Sequence, residues 1–260
     1  MADSRDSISN TFVVAIGVSL VCSVLVSAAA VLLKPLQEQN ESRYRQRIVL
    51  EVAGLYEPGV DIEERFAEID ARLVDLESGA YIDTIDVREF DAVAASADPD
   101  LGTLIPAELD VASLRRRAIY APAYLVRDAG RLEQIILPVY GKGLWSTLYG
   151  YLSLEPDGVT VRGLRFYEHA ETPGLGDQIE KDEWLAKWPG KQLFDTAGAV
   201  RIEVIRGQVP PGAGAQYQVD GMSGATLTGR GVSNLMRYWV GPHGFGPYLE
   251  RISREVAGDE

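Results

Sequence analysis

Hydrophobic and polar positions divide this chain into an uncharged N-terminal stretch and a patterned remainder. Thr11 to Leu33 are 23 consecutive residues without a charge. As an α-helix they extend about 34 Å, enough to cross a hydrocarbon core of about 30 Å. Pro35 is expected to close this segment, and Arg43 to Tyr56 (RYRQRIVLEVAGLY) reads as a membrane-proximal helix. Next, Ile62, Phe66, Ile69, Leu73 and Leu76 recur at helical spacing, with Asp61 and Glu64 at the start and Gly79 beyond the end, which predicts a single helix. Residues 87–117 mix acidic groups, Pro106 and short apolar patches, an irregular insertion with room for one short helix.

From Ile119 the period changes. Residues 119–128, 132–140, 147–154 and 158–168 are rich in β-branched and aromatic side chains, with turn residues at Gly130, Gly141 to Gly143 and Asp157-Gly158 between them. Successive antiparallel strands follow from that pattern. A short helix at 183–187, strands at 200–205 and 216–219 and a C-terminal helix complete the list. The fold class is therefore α+β: a transmembrane helix, then a largely antiparallel sheet with flanking helices. The expected divisions are a tail (1–10), the membrane helix (11–33), a membrane-proximal helical and irregular region (34–118) and a sheet domain (119–260).

Composition narrows the partners. The formal charge of -13 disfavours nucleic acid and anionic headgroups, which require basic surface, although the uncharged segment itself requires a lipid bilayer. The sole cysteine, Cys22, lies in that segment, so a disulfide framework, a CxxC pair or a cysteine-ligated cluster within this chain is excluded. His169 and His243 have no metal-ligand spacing, and no metal is expected. A cleaved signal peptide ending near Ala28 to Ala30 competes with a retained anchor, but the apolar run is long for one. Lys34, Arg43, Arg45 and Arg47 outnumber Arg5 and by charge would keep the following chain in the cytoplasm, a rule that large domains override.

The densest chemical signal is VDGMSGATLTGRGVSNLMRYW, Val219 to Trp239. Small and hydroxyl residues run directly into a helix whose apolar face is Val232, Leu235, Met236 and Trp239. Such a helix start offers unpaired N–H groups to a phosphate. Ser223 read alone is an N-cap. Neither phosphate-loop signature fits: GKGLWS would need glycine at Ile136 and a hydroxyl at Gly143, and GPHGFG is not GxGxxG. GMSGA opens like a GxSxG elbow but ends in Ala225.

Asp220 to Thr226 (DGMSGAT) resembles the flavinylation motif Dxx[ST]GA[TS], in which a flavin transferase uses FAD to attach FMN through its phosphate to the last hydroxyl. The resemblance makes Thr226 the acceptor, rather than Thr228, and places Asp220, Ser223, Gly224, Ala225 and Leu227 around it. Glu171 to Gly176 (ETPGLG) and Gly143 to Ser146 (GLWS) resemble two loops of FMN-binding subunits, through which Leu144, Trp145, Leu175 and Gly176 would meet the flavin and Thr172 would supply hydrogen bonds. With WPGK at 188–191 and the closing RYWVGPHGFGPYL, the chain resembles the family of C subunits of the sodium-translocating NADH:quinone oxidoreductase. The related G subunit of the Rnf complex shares the anchor, ETPGLG and SGAT; a flavin-free tethered binding domain is the remaining alternative.

The resemblance implies a subunit that is not catalytic alone. Its covalent FMN would pass single electrons between an iron-sulfur centre held by neighbouring membrane subunits and the FMN of the large membrane subunit. It further implies a single-pass protein of the bacterial inner membrane with its domain on the periplasmic side, against the charge rule.

Overall fold

A computed structural model describes residues 8–258; residues 1–7 of the expected tail, with Arg5, lie outside the described residues. The chain forms two compact units, one ending at Arg45 and the other comprising Gln46–Glu260. Helix α1 (Ile8–Ala53) carries Pro35 in its interior, so the proline does not close it. Proline forfeits one backbone donor, while the Lys34–Glu38 ion pair at i,i+4 spacing (3.7 Å) straddles it. In the first unit this helix is long and apolar enough to cross a membrane, with Phe12, Ile16, Leu20 and Leu25 all exposed.

In the second unit a six-stranded sheet has the order β2-β1-β5-β6-β7-β8: β1 is Asp70–Asp75, β2 Tyr81–Ile82, β5 Tyr120–Asp128, β6 Arg131–Lys142, β7 Thr147–Leu154 and β8 Val161–Glu168. The pairs β1–β2, β1–β5, β5–β6, β6–β7 and β7–β8 are antiparallel. Central strand β6 is buried on both faces. Ile135, Leu137 and Val139 join the main core, while Ile136 packs with Tyr151, Ile48, Val49 and Leu50. Period-two alternation supplies both faces from one strand.

Two expectations change here. The single helix from Ile62 to Leu76 is instead α2 (Ile62–Ala67), capped by Asp61, followed by β1. Leu73 and Val74 face Pro122 and Ala121 across the ladder with β5, so pairing overrides a helical period that five residues only sampled. Because β1 belongs to this sheet, the expected boundary at Ile119 does not separate compact units. The insertion holds one short helix, α3 (Ala92–Ala97), and the small β3–β4 pair, Gly102–Leu104 with Arg116–Ala118.

Helix α4 (Asp182–Leu185) and the parallel two-residue strands β9 (Glu203–Val204) and β10 (Gln218–Val219) lead to α5 (Thr226–Trp239). The expected C-terminal helix is two, α5 and α6 (Gly246–Gly258), divided at the Gly241-Pro242 turn. Val232, Leu235, Met236 and Trp239 of α5 are buried in the main core. The Trp239 indole N–H donates to the Tyr140 carbonyl at 2.6 Å, fixing α5 against β6.

Leu73 is 1% exposed. Leu73→Ala should lower the unfolding free energy by about 2–5 kcal/mol, measured by denaturant titration of the full chain in detergent. A near-neutral outcome would contradict the assignment of this residue to a buried strand.

Candidate functional site

Three segments converge on one carboxylate. Glu171 is 5% exposed and lies three residues beyond β8. Its Oε1 accepts the backbone N–H groups of Leu144 and Trp145, each at 3.0 Å. Its Oε2 accepts the Thr228 hydroxyl of α5 at 2.5 Å. The 143–146 turn is closed by the Gly143 N–H to the Ser146 carbonyl (2.8 Å), and Ser146 Oγ accepts the Ala170 N–H (2.7 Å). Gly143 must be glycine for this approach, since a Cβ there would lie 2.6 Å from Glu171 Oε1. His169 Nδ1 accepts the Glu171 N–H at 3.2 Å while its Nε2 lies 3.4 Å from Glu180, which leaves the ring proton on Nε2.

Large apolar groups stand open around this junction: Trp145 is 64% exposed, Leu227 51%, Leu175 43% and Leu144 39%. The Trp145 indole N–H donates to Thr172 Oγ1 at 3.0 Å, tying the turn to the ETPGLG loop. That loop in turn meets the SGAT turn. Gly224 has φ +75°, and a Cβ there would come within 2.7 Å of Leu175 Cδ2. Gln178 donates to the carbonyls of Leu175 (2.9 Å) and Ser223 (3.3 Å) from the short turn that Gly176 opens.

Thr226 is the first residue of α5 and exposed; Thr228, two residues on, is 1% exposed. The helix N-cap is Ala225, with no side-chain hydrogen bond. Ser223 is therefore not the cap that its residue type suggests, because Gly224 and Ala225 separate it from the helix. The first-turn N–H groups lack a side-chain cap and suit an anion.

Asp220 has a different task. Its Oδ1 accepts the Val209 N–H at 2.7 Å and its Oδ2 pairs with Lys187 at 2.9 Å. The Val209 bond first, then Lys187, holds its pKa below the ordinary carboxylate value. Its carbonyl accepts the buried Trp184 indole N–H at 2.9 Å, so Asp220 anchors the turn.

The structure thus gathers Leu144, Trp145, Thr172, Leu175, Gly176, Ser223, Gly224, Ala225, Thr226 and Leu227 around one surface, with Asp220 beneath the turn. Glu171 and Gln178 are added to the residues that sequence singled out. Glu171 opens a loop whose motif was legible, but its partners lie 26, 27 and 57 positions away. Among the described residues no group of three or more His, Cys, Asp or Glu is placed to hold a metal ion.

Residues 143–241 match the FMN-binding domain family. The C subunit of the Na(+)-translocating NADH-quinone reductase of Pseudomonas aeruginosa is 45% identical over 259 residues, covering 98% of this chain and 99% of that protein. The chain belongs to this family of C subunits. Its Vibrio alginolyticus member is 43% identical over 97% of this chain and 98% of its own. Shewanella oneidensis NqrC, a crystal structure, superposes with a TM-score of 0.76 at 36% identity, over 83% of this chain and 99% of that one. Family membership decides between the two related subunits and, with the domain match, makes this an FMN-binding chain.

The site's own chemistry fits that cofactor. An exposed alcohol at an uncapped helix start suits a phosphate ester, and exposed Trp145, Leu144 and Leu175 suit a planar apolar ring.

A depressed carboxylate pKa contributes stability at neutral pH that disappears as pH falls through the folded value. Below about pH 4, wild type should lose stability that Asp220→Asn never had, and the two acid-unfolding curves should converge. Parallel curves down to the acid limit would show that Asp220 contributes no such linkage.

Proposed function

We propose that this chain is the membrane-anchored flavoprotein subunit of a sodium-translocating NADH:quinone oxidoreductase, carrying FMN as a phosphodiester on Thr226. The observation that carries the assignment is the contrast between two nearby alcohols. Thr226 is open to an approaching transferase, whereas Thr228 is buried and already donates to Glu171.

In the transfer, the Thr226 oxygen bonds to the flavin-side phosphorus of FAD as the pyrophosphate link breaks. AMP departs with the bridging oxygen, and the hydroxyl proton passes to a base of the transferase. Once bound, the flavin can exchange electrons singly, which a relay requires.

Leu144, Trp145 and Leu175 would cover the ring of a bound flavin and keep water from part of it; the Thr172 hydroxyl holds the Trp145 indole in place. No side chain is assigned proton chemistry. The neighbours would be membrane subunits holding an iron-sulfur centre and the large FMN-carrying subunit. The apolar part of α1 would be a retained single-pass anchor in the inner membrane, with the sheet domain on the periplasmic side, since long domains cross largely regardless of flanking charge.

Co-expression with a flavin transferase, followed by intact mass and in-gel fluorescence after denaturation, tests the acceptor. Wild type should carry one covalent flavin, and Thr226→Ala, which keeps the Thr228 hydroxyl, none. Flavin retained on Thr226→Ala would refute the assignment. In spheroplasts, external protease should digest the domain; protection until lysis would place it in the cytoplasm.

A further inference from the structure

One face of α5 is committed to neither the core nor the apolar surface beside Thr226. Thr226, Gly229, Arg230, Ser233, Asn234 and Arg237 fall on it at helical spacing. Together with the Glu203 to Gly207 segment they enclose a cavity of about 350 Å³. Arg206 lines it from that segment, so three arginines line a space that also borders the acceptor threonine.

The chain carries a net charge of -13, and several of its other arginines pair with carboxylates, as Arg165 does with Glu51 (2.9 Å) and Arg201 with Asp195 (3.8 Å). Arg206, Arg230 and Arg237 are exposed and have no ion pair among the described residues. The carboxylate lining the cavity, Glu203, already accepts from Gln218 at 3.0 Å. Ser233 Oγ is spent on backbone, accepting from Val204 N–H (2.9 Å) and donating to the Gly229 carbonyl (3.0 Å). The unused donors in the cavity are therefore mainly the guanidinium groups.

We propose that this cavity is an anion site for the phosphodiester at Thr226, with Arg230 and Arg206 as its ligands; the proposal rests on Thr226 carrying FMN. Arg230 is one turn from Thr226, about 6 Å along the axis, within the reach of an arginine side chain. Guanidinium forks bind phosphate oxygens in pairs, and the start of α5, which lacks a side-chain cap, offers further N–H donors at Thr226 itself. Arg237 lies two further turns along and adds positive potential without contact. The flavin is then held at both ends, by apolar cover on its ring and by paired charge on its phosphate.

Phosphorus NMR of the flavinylated full chain in detergent reads this site directly. Arg230→Gln and Arg206→Gln should each shift and narrow the phosphodiester resonance, Arg230→Lys should restore part of the wild-type position, and Arg201→Gln, off the cavity, should change nothing. An unchanged resonance in both Arg230→Gln and Arg206→Gln overturns the proposal, as does an equal shift in Arg201→Gln. Intact mass separates the two levels: no covalent flavin on wild type overturns the Thr226 assignment together with this one, whereas flavin present with an insensitive phosphorus overturns the arginine site alone.

Discussion

Glu171 makes no ion pair among the described residues, and its buried carboxylate is satisfied by hydrogen bonds from a hairpin turn and a distant helix. Leaving such a charge unpaired in a low-dielectric interior is costly, so the three segments are bound to one arrangement. The Leu144 and Trp145 amides can reach Oε1 only if the turn bends tightly, and Gly143 permits the bend. The Thr228 hydroxyl can reach Oε2 only with α5 in one rotation about its axis. That rotation also turns Thr226 outward and buries Val232, Leu235, Met236 and Trp239.

The same rotation gives Thr226 two dissimilar neighbourhoods. Toward the ETPGLG and GLWS loops lie exposed leucines and a tryptophan; along the helix lie Arg230 and Arg237, which have no ion pair among the described residues. A flavin nucleotide is likewise amphipathic, with an apolar ring at one end and a phosphate at the other. The sheet holds these features in place. Strand β6 is buried on both faces, and Trp239 bonds its backbone directly.

Much of this was legible in sequence because the signals were local. Strands β5 to β8 announced themselves through β-branched runs between glycine turns, and the motifs around Thr226 and Thr172 were contiguous. Where local signals failed, long-range pairing decided the outcome. Leu73 fits a helical stripe on paper, yet its place is set by Pro122 across the ladder, 49 positions away by number. Pro35 looked like a terminus because the proline rule describes one lost hydrogen bond and not the helical residues on both sides. Glu171 was visible as a letter of a motif but not as a junction, and the arginine cavity depends on Arg206 meeting a helix face that opens 20 positions later at Thr226. Ser223 misled for the opposite reason: its residue type suits a cap, but its position is two residues early.

The central claim is that the Glu171 carboxylate organises the site, and amide NMR of the full chain in detergent, labelled at leucine and tryptophan, measures it most directly. In Glu171→Gln the Leu144 and Trp145 amide protons should move strongly upfield as their charged acceptor disappears, while Leu137 and Leu152 in the sheet keep their positions. Unmoved Leu144 and Trp145 resonances in that variant would show that these segments meet without the carboxylate and would contradict the account.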